Sequence, residues 1–370
     1  MQPWVLHGWH LSYFTGKVRC YLRYKQLAFV DQPMSLYTLA IKGRRRTGTV
    51  VMPLLVTPEG EWWQDSSEMI DRIETRHPTP AVVPSTPRQR VFSALLEAWG
   101  DEWWIPIAMH TRWNHAENYA LFEHDAGGSL LPRSPRWLQR RAAAEIASRL
   151  RGYLDSVGIR PAQYAALDGW TERMLDHLER HFGRRRFLLG ERPTLGDFAL
   201  VGTMYGHLGR DPWPARELIA PRPALRAWID RMAEPEASVW SATATLEPDD
   251  ALPTTLEPVI ASICEEFLPL CEGILAQLLL LYPSWPQGKP LPRILADAET
   301  RLGDARFARR AMPYTLWMIQ RIQDSWRALS PSDAAQVLAA FAARGGERFL
   351  TMPIPRLHRV GLRVAFSPVP

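Results

Sequence analysis

Apolar positions along the chain follow two different spacings, and the change between them divides the sequence into three parts. Residues 4–8 form a short apolar run. After Ser12-Tyr13-Phe14-Thr15 the apolar positions recur at helical spacing as far as Leu27, predicting a strand, a hydroxyl-bearing loop and a helix. Residues 28–34 predict a second strand, followed by a loop through Ile41 and the run Arg44-Arg45-Arg46. Residues 49–57 are rich in β-formers but split by Pro53, which argues against a central ladder position unless its missing N–H is useful. Gly60 marks a turn, Glu61-Trp62-Trp63 a short strand, and Asp65-Ser66-Ser67-Glu68 opens a helix through Met69, Ile70 and Ile73. The predicted order over residues 1–83 is strand, helix, strand, strand, strand, helix.

A proline-rich linker, residues 79–87, ends this part, and from there the helical period dominates. Helices are predicted over 88–104, 105–118, 136–157, 162–182, 194–208 and 223–232, so residues 84–247 read as an all-helical domain. Thr194 with Asp197 three positions on forms a reciprocal capping box, a folding element. Residues 248–370 form an extension that opens on a linker rich in Pro, Thr and Asp over 247–258. They predict amphipathic helices over 259–281, 305–329 and 332–343 and a short strand over 360–364.

Length and composition narrow the class. At 370 residues the chain exceeds what one hydrophobic core usually supports, and 46% hydrophobic with 22% charged residues is ordinary for a well-buried protein. The net charge of +5 comes from arginine clusters scattered along the chain. Without a recognisable module these read as solvated surface, and no nucleic-acid partner is expected. Cys20, Cys264 and Cys271 are too few and too oddly numbered for a disulfide framework. No basic start with an apolar signal core opens the chain, and no apolar run is long enough to span a bilayer, so a cytoplasmic protein without a membrane partner is expected.

The candidate chemistry gathers at two predicted helix starts. A helix N-terminus leaves unpaired N–H groups and the positive end of a dipole, which favour an anion such as a thiolate. Ser12 reads as a hydroxyl donor to a bound thiol or as a plain N-cap, and Tyr13 as an alternative donor or as packing. Lys17 would aid a thiolate if it faced the site. Asp65-Ser66 reads as a ligand-binding pair, the serine and helix N–H groups for a carboxylate and Asp65 for an ammonium, or as a capping pair. Lys42 and Arg46 lie on a loop read as solvated. Trp103 and His110 stand in a run of Trp and His read as core or as pocket lining, and Glu97, Asp101 and Glu102 on the same helix read as a polar face. His110 and His115 lack a metal-ligand spacing, so no metal is expected.

Taken in order, the strand ending before Ser12, Pro53 after Val51-Met52, Asp65-Ser66, and the Thr194–Asp197 box approached by Leu188-Leu189-Gly190 and followed by Pro223, Leu225 and Trp228 make the chain resemble the glutathione S-transferase family. The resemblance covers about residues 4–232 and leaves the extension unmatched. It implies a thioredoxin-like α/β domain followed by an all-helical domain, and a cis Pro53. It further implies glutathione as co-substrate, held by Ser12, the backbone of Met52 beside Pro53, Asp65 and Ser66. Ser12 or Tyr13 would then act on the thiol, a small-molecule electrophile would sit near Trp103 and His110, and two copies would form a homodimer. The rival expectation is a non-catalytic binding or assembly protein that keeps the fold. An extension packed on the helix start would favour the rival, and an open cleft beside Ser12 and Asp65 the enzyme.

Overall fold

The computed structural model describes residues 2–241 and 243–368. The first domain contains β1 (Trp4–Gly8), α1 (Tyr13–Tyr24), β2 (Phe29–Pro33), a π-helical turn (Thr38–Gly43) running into α2 (Arg44–Thr47), β3 (Leu54–Val56), β4 (Trp62–Gln64) and α3 (Ser66–Arg76). The sheet order is β2-β1-β3-β4, with β1 parallel to β2 and the other pairs antiparallel. This is the thioredoxin-like arrangement. Pro53 is cis and precedes β3 by one residue, so it removes no ladder hydrogen bond.

The helical part comprises α4 (Pro87–Glu102), α5 (Ile105–Trp113), α6 (Asn118–Leu130), α7 (Arg136–Arg151), α8 (Tyr164–Phe182), α9 (Leu195–Thr203), α10 (Pro212–Pro214) and α11 (Pro223–Ala233). The sequence reading passed over α6. The capping box forms at α9, where the buried Asp197 also accepts from the N–H of Leu188 at 2.9 Å and from Trp228 Nε1 at 3.2 Å. Helices α4 and α9 pack closely because Gly100 has no side chain: a Cβ there would stand 2.7 Å from that of Ala199.

The extension differs from the helical one expected. It comprises α12 (Glu257–Ser262) and α13 (Leu268–Leu281) joined by a π-helical turn, then β5 (Asp297–Leu302) and β6 (Ala305–Arg310). After these come α14 (Pro313–Arg327), α15 (Pro331–Ala342), α16 (Arg348–Thr351), β7 (Leu357–Val360) and β8 (Arg363–Phe366). The helix predicted from residue 305 therefore begins with a strand. Gly303, at φ +60°, makes a two-residue hairpin turn with Asp304, and Phe307 and Arg309 alternate inward along β6.

The extension is not packed separately. One continuous apolar core runs from Trp4 through Trp99 and Trp228 to Phe366, and the ring of Phe341 on α15 lies 4.3 Å from that of Phe92 on α4. The residues expected to form a free linker do structural work, since the Asp250 carboxylate accepts from the N–H groups of Arg88 and Gln89 at 2.7 and 2.8 Å, capping α4. Truncating Phe341 to Ala should cost about 3–5 kcal/mol by leaving a cavity against α4. In urea unfolding followed by circular dichroism, the midpoint should fall for the whole chain in one transition.

Candidate functional site

A cavity of about 150 Å³ lies where the three parts meet. The first domain supplies Phe14, Val51, Met52, Pro53, Asp65 and Ser66, the helical part Asp101, Glu102 and Ile105, and the extension Arg293, Met312, Tyr314 and Leu362. Met52, Pro53, Asp65 and Ser66, predicted from sequence as one ligand wall, are thus brought together. Among the described residues the N–H and C=O of Met52, the N–H and Oγ of Ser66 and the N–H of Phe14 have no hydrogen-bond partner. They are available to a peptide-like ligand.

Asp65 is more committed than expected. It caps α3, one oxygen accepting from the N–H groups of Ser67 and Glu68 at 3.1 Å each. Its other oxygen accepts from the Tyr314 hydroxyl, and Arg359 Nε stands 3.8 Å away while that guanidinium pairs with Glu68. The extension therefore meets the first domain at the residue expected to hold an ammonium. Tyr314 carries no spacing signal in the sequence, because only the fold returns α14 to α3.

Behind this wall lies a buried charge cluster. Lys17 Nζ donates to Asp101 Oδ2 at 2.6 Å, Glu97 Oε1 at 2.9 Å and Ser67 Oγ at 3.0 Å, so it faces neither solvent nor the cavity as an isolated cation. Arg321 of α14 reaches Glu97 at 3.3 Å and Asp71 at 2.5 Å. Glu97, Asp101 and Glu102, expected on a polar face, are all buried. Burial pushes the Asp101 carboxyl up to about 7, with Lys17 opposing and Glu97 reinforcing the rise, whereas Lys17 and Arg321 together hold Glu97 ionised against its own burial. One shared lysine does not offset two carboxylates in a dry site, and Asp101 is the member that keeps a proton near neutrality. Its Oδ1 has no partner, and the residue is 3% exposed on the cavity wall. Glu102, also raised by burial, accepts from Thr315 Oγ1 at 2.6 Å.

Four candidates lie elsewhere. Ser12 is the N-cap of α1, its Oγ accepting from the Thr15 N–H at 3.3 Å, and it does not line the cavity. Tyr13 is buried between domains, its hydroxyl donating to the Gly100 carbonyl and its ring lying where a Cβ on Gly202 would fall. Burial raises its pKa well above the tyrosine norm, so it is a packing residue and no donor to a cavity ligand. Trp103 is core, edge-on to Trp170 and Phe267. His110 is buried, with Nε2 2.8 Å from Asp168 and Nδ1 2.7 Å from Asn114, away from the cavity. The apolar lining comes instead from Phe14, Ile105, Met312 and Leu362.

Residues 6–81 match the model described as Glutathione S-transferase, N-terminal domain, and residues 161–231 match the one described as Glutathione S-transferase, C-terminal domain. Over these two stretches the chain resembles the glutathione S-transferase family. No curated protein matches it in sequence. Among solved structures it is similar to a glutathione S-transferase from Rhodospirillum rubrum F11, at 18% identity over 68% of this chain and 96% of that one, with a TM-score of 0.38. A glutathione S-transferase from Methylobacterium radiotolerans, in complex with glutathione sulfonate, matches at 24% identity over 66% and 99% of the two chains, with a TM-score of 0.37. One from Methylobacillus flagellatus KT with glutathione bound matches at 19% identity over 64% and 96%, also with a TM-score of 0.37. Met52, Pro53 and Ser66, which the sequence resemblance implies as ligand-binding residues, line one cavity together with Arg293, Met312, Tyr314 and Leu362 of the extension.

The raised Asp101 carboxyl gives a pH signature. A folded-state pKa above the unfolded value means that the folded chain binds the extra proton, so stability from this group is present at acid pH and falls as pH rises towards 7. Asp101→Asn lacks this term. Its melting temperature relative to wild type should therefore move in the variant's favour between about pH 5 and pH 8 in paired thermal melts.

Proposed function

We propose that the chain binds glutathione in this cavity and acts as a transferase-like enzyme on a small electrophile. What carries the reading is the set of unpaired polar groups on the cavity wall. The Met52 backbone would pair with the cysteinyl peptide unit, and Ser66, with its N–H at the start of α3, would take the γ-glutamyl carboxylate. The Asp65 carboxylate would face the ammonium. Glutathione, when bound, supplies a nucleophilic thiol.

In this reading no side-chain hydroxyl of Ser12 or Tyr13 polarises that thiol. The unpaired Phe14 N–H and the positive end of α1 would favour the thiolate by fixed dipoles, an electrostatic contribution that needs no reorganisation. Asp101 would hold or accept a proton at Oδ1, and Ile105, Met312 and Leu362 would exclude water from the electrophile. A homodimer in the cytoplasm, implied by the resemblance, is part of the reading.

A second reading, a non-catalytic binding or assembly protein, is favoured by one observation: Tyr314 and Arg359 of the extension already engage Asp65. Calorimetric titration with glutathione separates the two. On the enzyme reading wild type binds, Ser66→Ala weakens binding about tenfold, in line with one hydrogen bond to a charged group, and Tyr314→Phe, which frees Asp65, binds at least as tightly as wild type. Ser12→Ala should bind unchanged. No heat and no thermal shift at millimolar glutathione in wild type and Tyr314→Phe alike would overturn the enzyme reading in favour of the scaffold.

A further inference from the structure

Away from the cavity, one face of the first domain combines exposed apolar side chains with cations that have no acidic partner. Leu36, Tyr37 and Ile41 on and before the π-helical turn are 43%, 60% and 42% exposed, and they border a groove closed on the other side by residues 130–134 between α6 and α7. Trp137, close beyond that loop in sequence, is 64% exposed. Ala40 and Ile41 continue the surface to Arg44 and Arg45, and Arg44 in turn borders a second groove with Val50, Val360, Arg293 and Arg363. No carboxylate lines any part of this face. From residue 32 to residue 58 the sequence contains no Asp or Glu, whereas Lys42, Arg44, Arg45 and Arg46 fall within it. Lys42 lies over the Trp62 ring and Arg293 over that of Tyr153, and among the described residues none of the cations on this face forms an ion pair.

This pattern differs from the other arginine clusters. Arg185 and Arg186 pair with Glu247 and Glu236, as expected of a solvated or structural charge run. Unpaired arginines alone would suit any polyanion. Exposed Leu, Ile and Tyr beside them distinguish the face, because apolar side chains gain nothing against a phosphate backbone but do gain on entering the interfacial layer of a bilayer. Arginine and aromatic side chains are also those that rest at the headgroup level with their apolar parts directed inward.

We infer that this face docks the protein on the surface of an anionic lipid membrane, Leu36, Tyr37 and Ile41 entering the interface and Arg44, Arg45 and Arg46 meeting the headgroups. The sequence led to an expectation of no membrane partner because no segment spans a bilayer, and among the described residues no helix is long and apolar enough to cross one. Peripheral docking requires no span. Arg293 and Leu362 line both the second groove and the cavity, so the docked face adjoins the ligand site, and an apolar substrate held in the lipid would have a short path to it.

The test is co-sedimentation of the full chain with vesicles of pure phosphatidylcholine and of phosphatidylcholine carrying about one third phosphatidylglycerol. Binding is expected on the anionic vesicles, falling steeply as salt is raised. The triple variant Arg44→Glu, Arg45→Glu, Arg46→Glu should reduce partitioning at low salt on the order of 100-fold or more, as three surface cations near an anionic leaflet require. The variant Leu36→Ser, Ile41→Ser, which leaves the charge unchanged, should also weaken vesicle binding while leaving any binding to duplex DNA unaltered. All five positions are exposed, so the variants should keep the wild-type melting temperature, and glutathione titration of each checks the cavity independently. No sedimentation with anionic vesicles would overturn the inference. So would sedimentation indifferent to the Leu36→Ser, Ile41→Ser change, or tighter binding to duplex DNA than to the vesicles.

Discussion

A lysine ammonium taken out of water must be met on every side, and the burial of Lys17 sets that requirement at the centre of this molecule. An unpaired ion in the interior costs several kcal/mol. Lys17 avoids that penalty only while α1, α3 and α4 converge to present Ser67, Glu97 and Asp101. The two carboxylates so gathered exceed the charge of one lysine, and Arg321 from α14 redresses part of the imbalance through Glu97 and Asp71. Four helices from all three parts of the chain are thereby tied to one charge.

The same convergence leaves Asp101, which lines the cavity, with one buried oxygen that has no partner. A carboxyl raised by burial shares the cavity lining with the unpaired backbone groups of Met52 and the unpaired hydroxyl of Ser66, so the wall presents polar groups that a ligand can pair. Groups of this kind are costly when empty and useful when a ligand pairs them. In contrast, the hydroxyls of Ser12 and Tyr13 are consumed by folding: one caps α1, and the other spans the contact between α1 and α4.

The extension acts as roof and brace together. Tyr314 reaches Asp65, Arg359 reaches Glu68, and Phe341 packs on Phe92, so α3 and α4 are covered by the chain's own C-terminal part. Arg293 and Leu362 of the extension line the cavity beside residues of the first two domains.

The sequence by itself determined the strands and helices of the first part, most helices of the second, and the residues that come together on one cavity wall. Strand and helix periods, Pro53, Asp65-Ser66 and the Thr194–Asp197 box are local signals, and each depends on neighbours within a few residues. The hairpin turn at Gly303-Asp304 is an equally local signal, but the helical period of residues 313–327 carried back to residue 305 covers the strand that follows the turn. What only the tertiary structure decided involves partners far apart in the chain. Whether Ser12 caps or donates, whether Trp103 and His110 line a pocket or fill a core, and whether Asp101 meets solvent or a lysine all depend on which helices stack. Tyr314 meets Asp65 across about 250 residues, and hydrophobic periodicity specifies which face of a helix is buried without specifying what it is buried against.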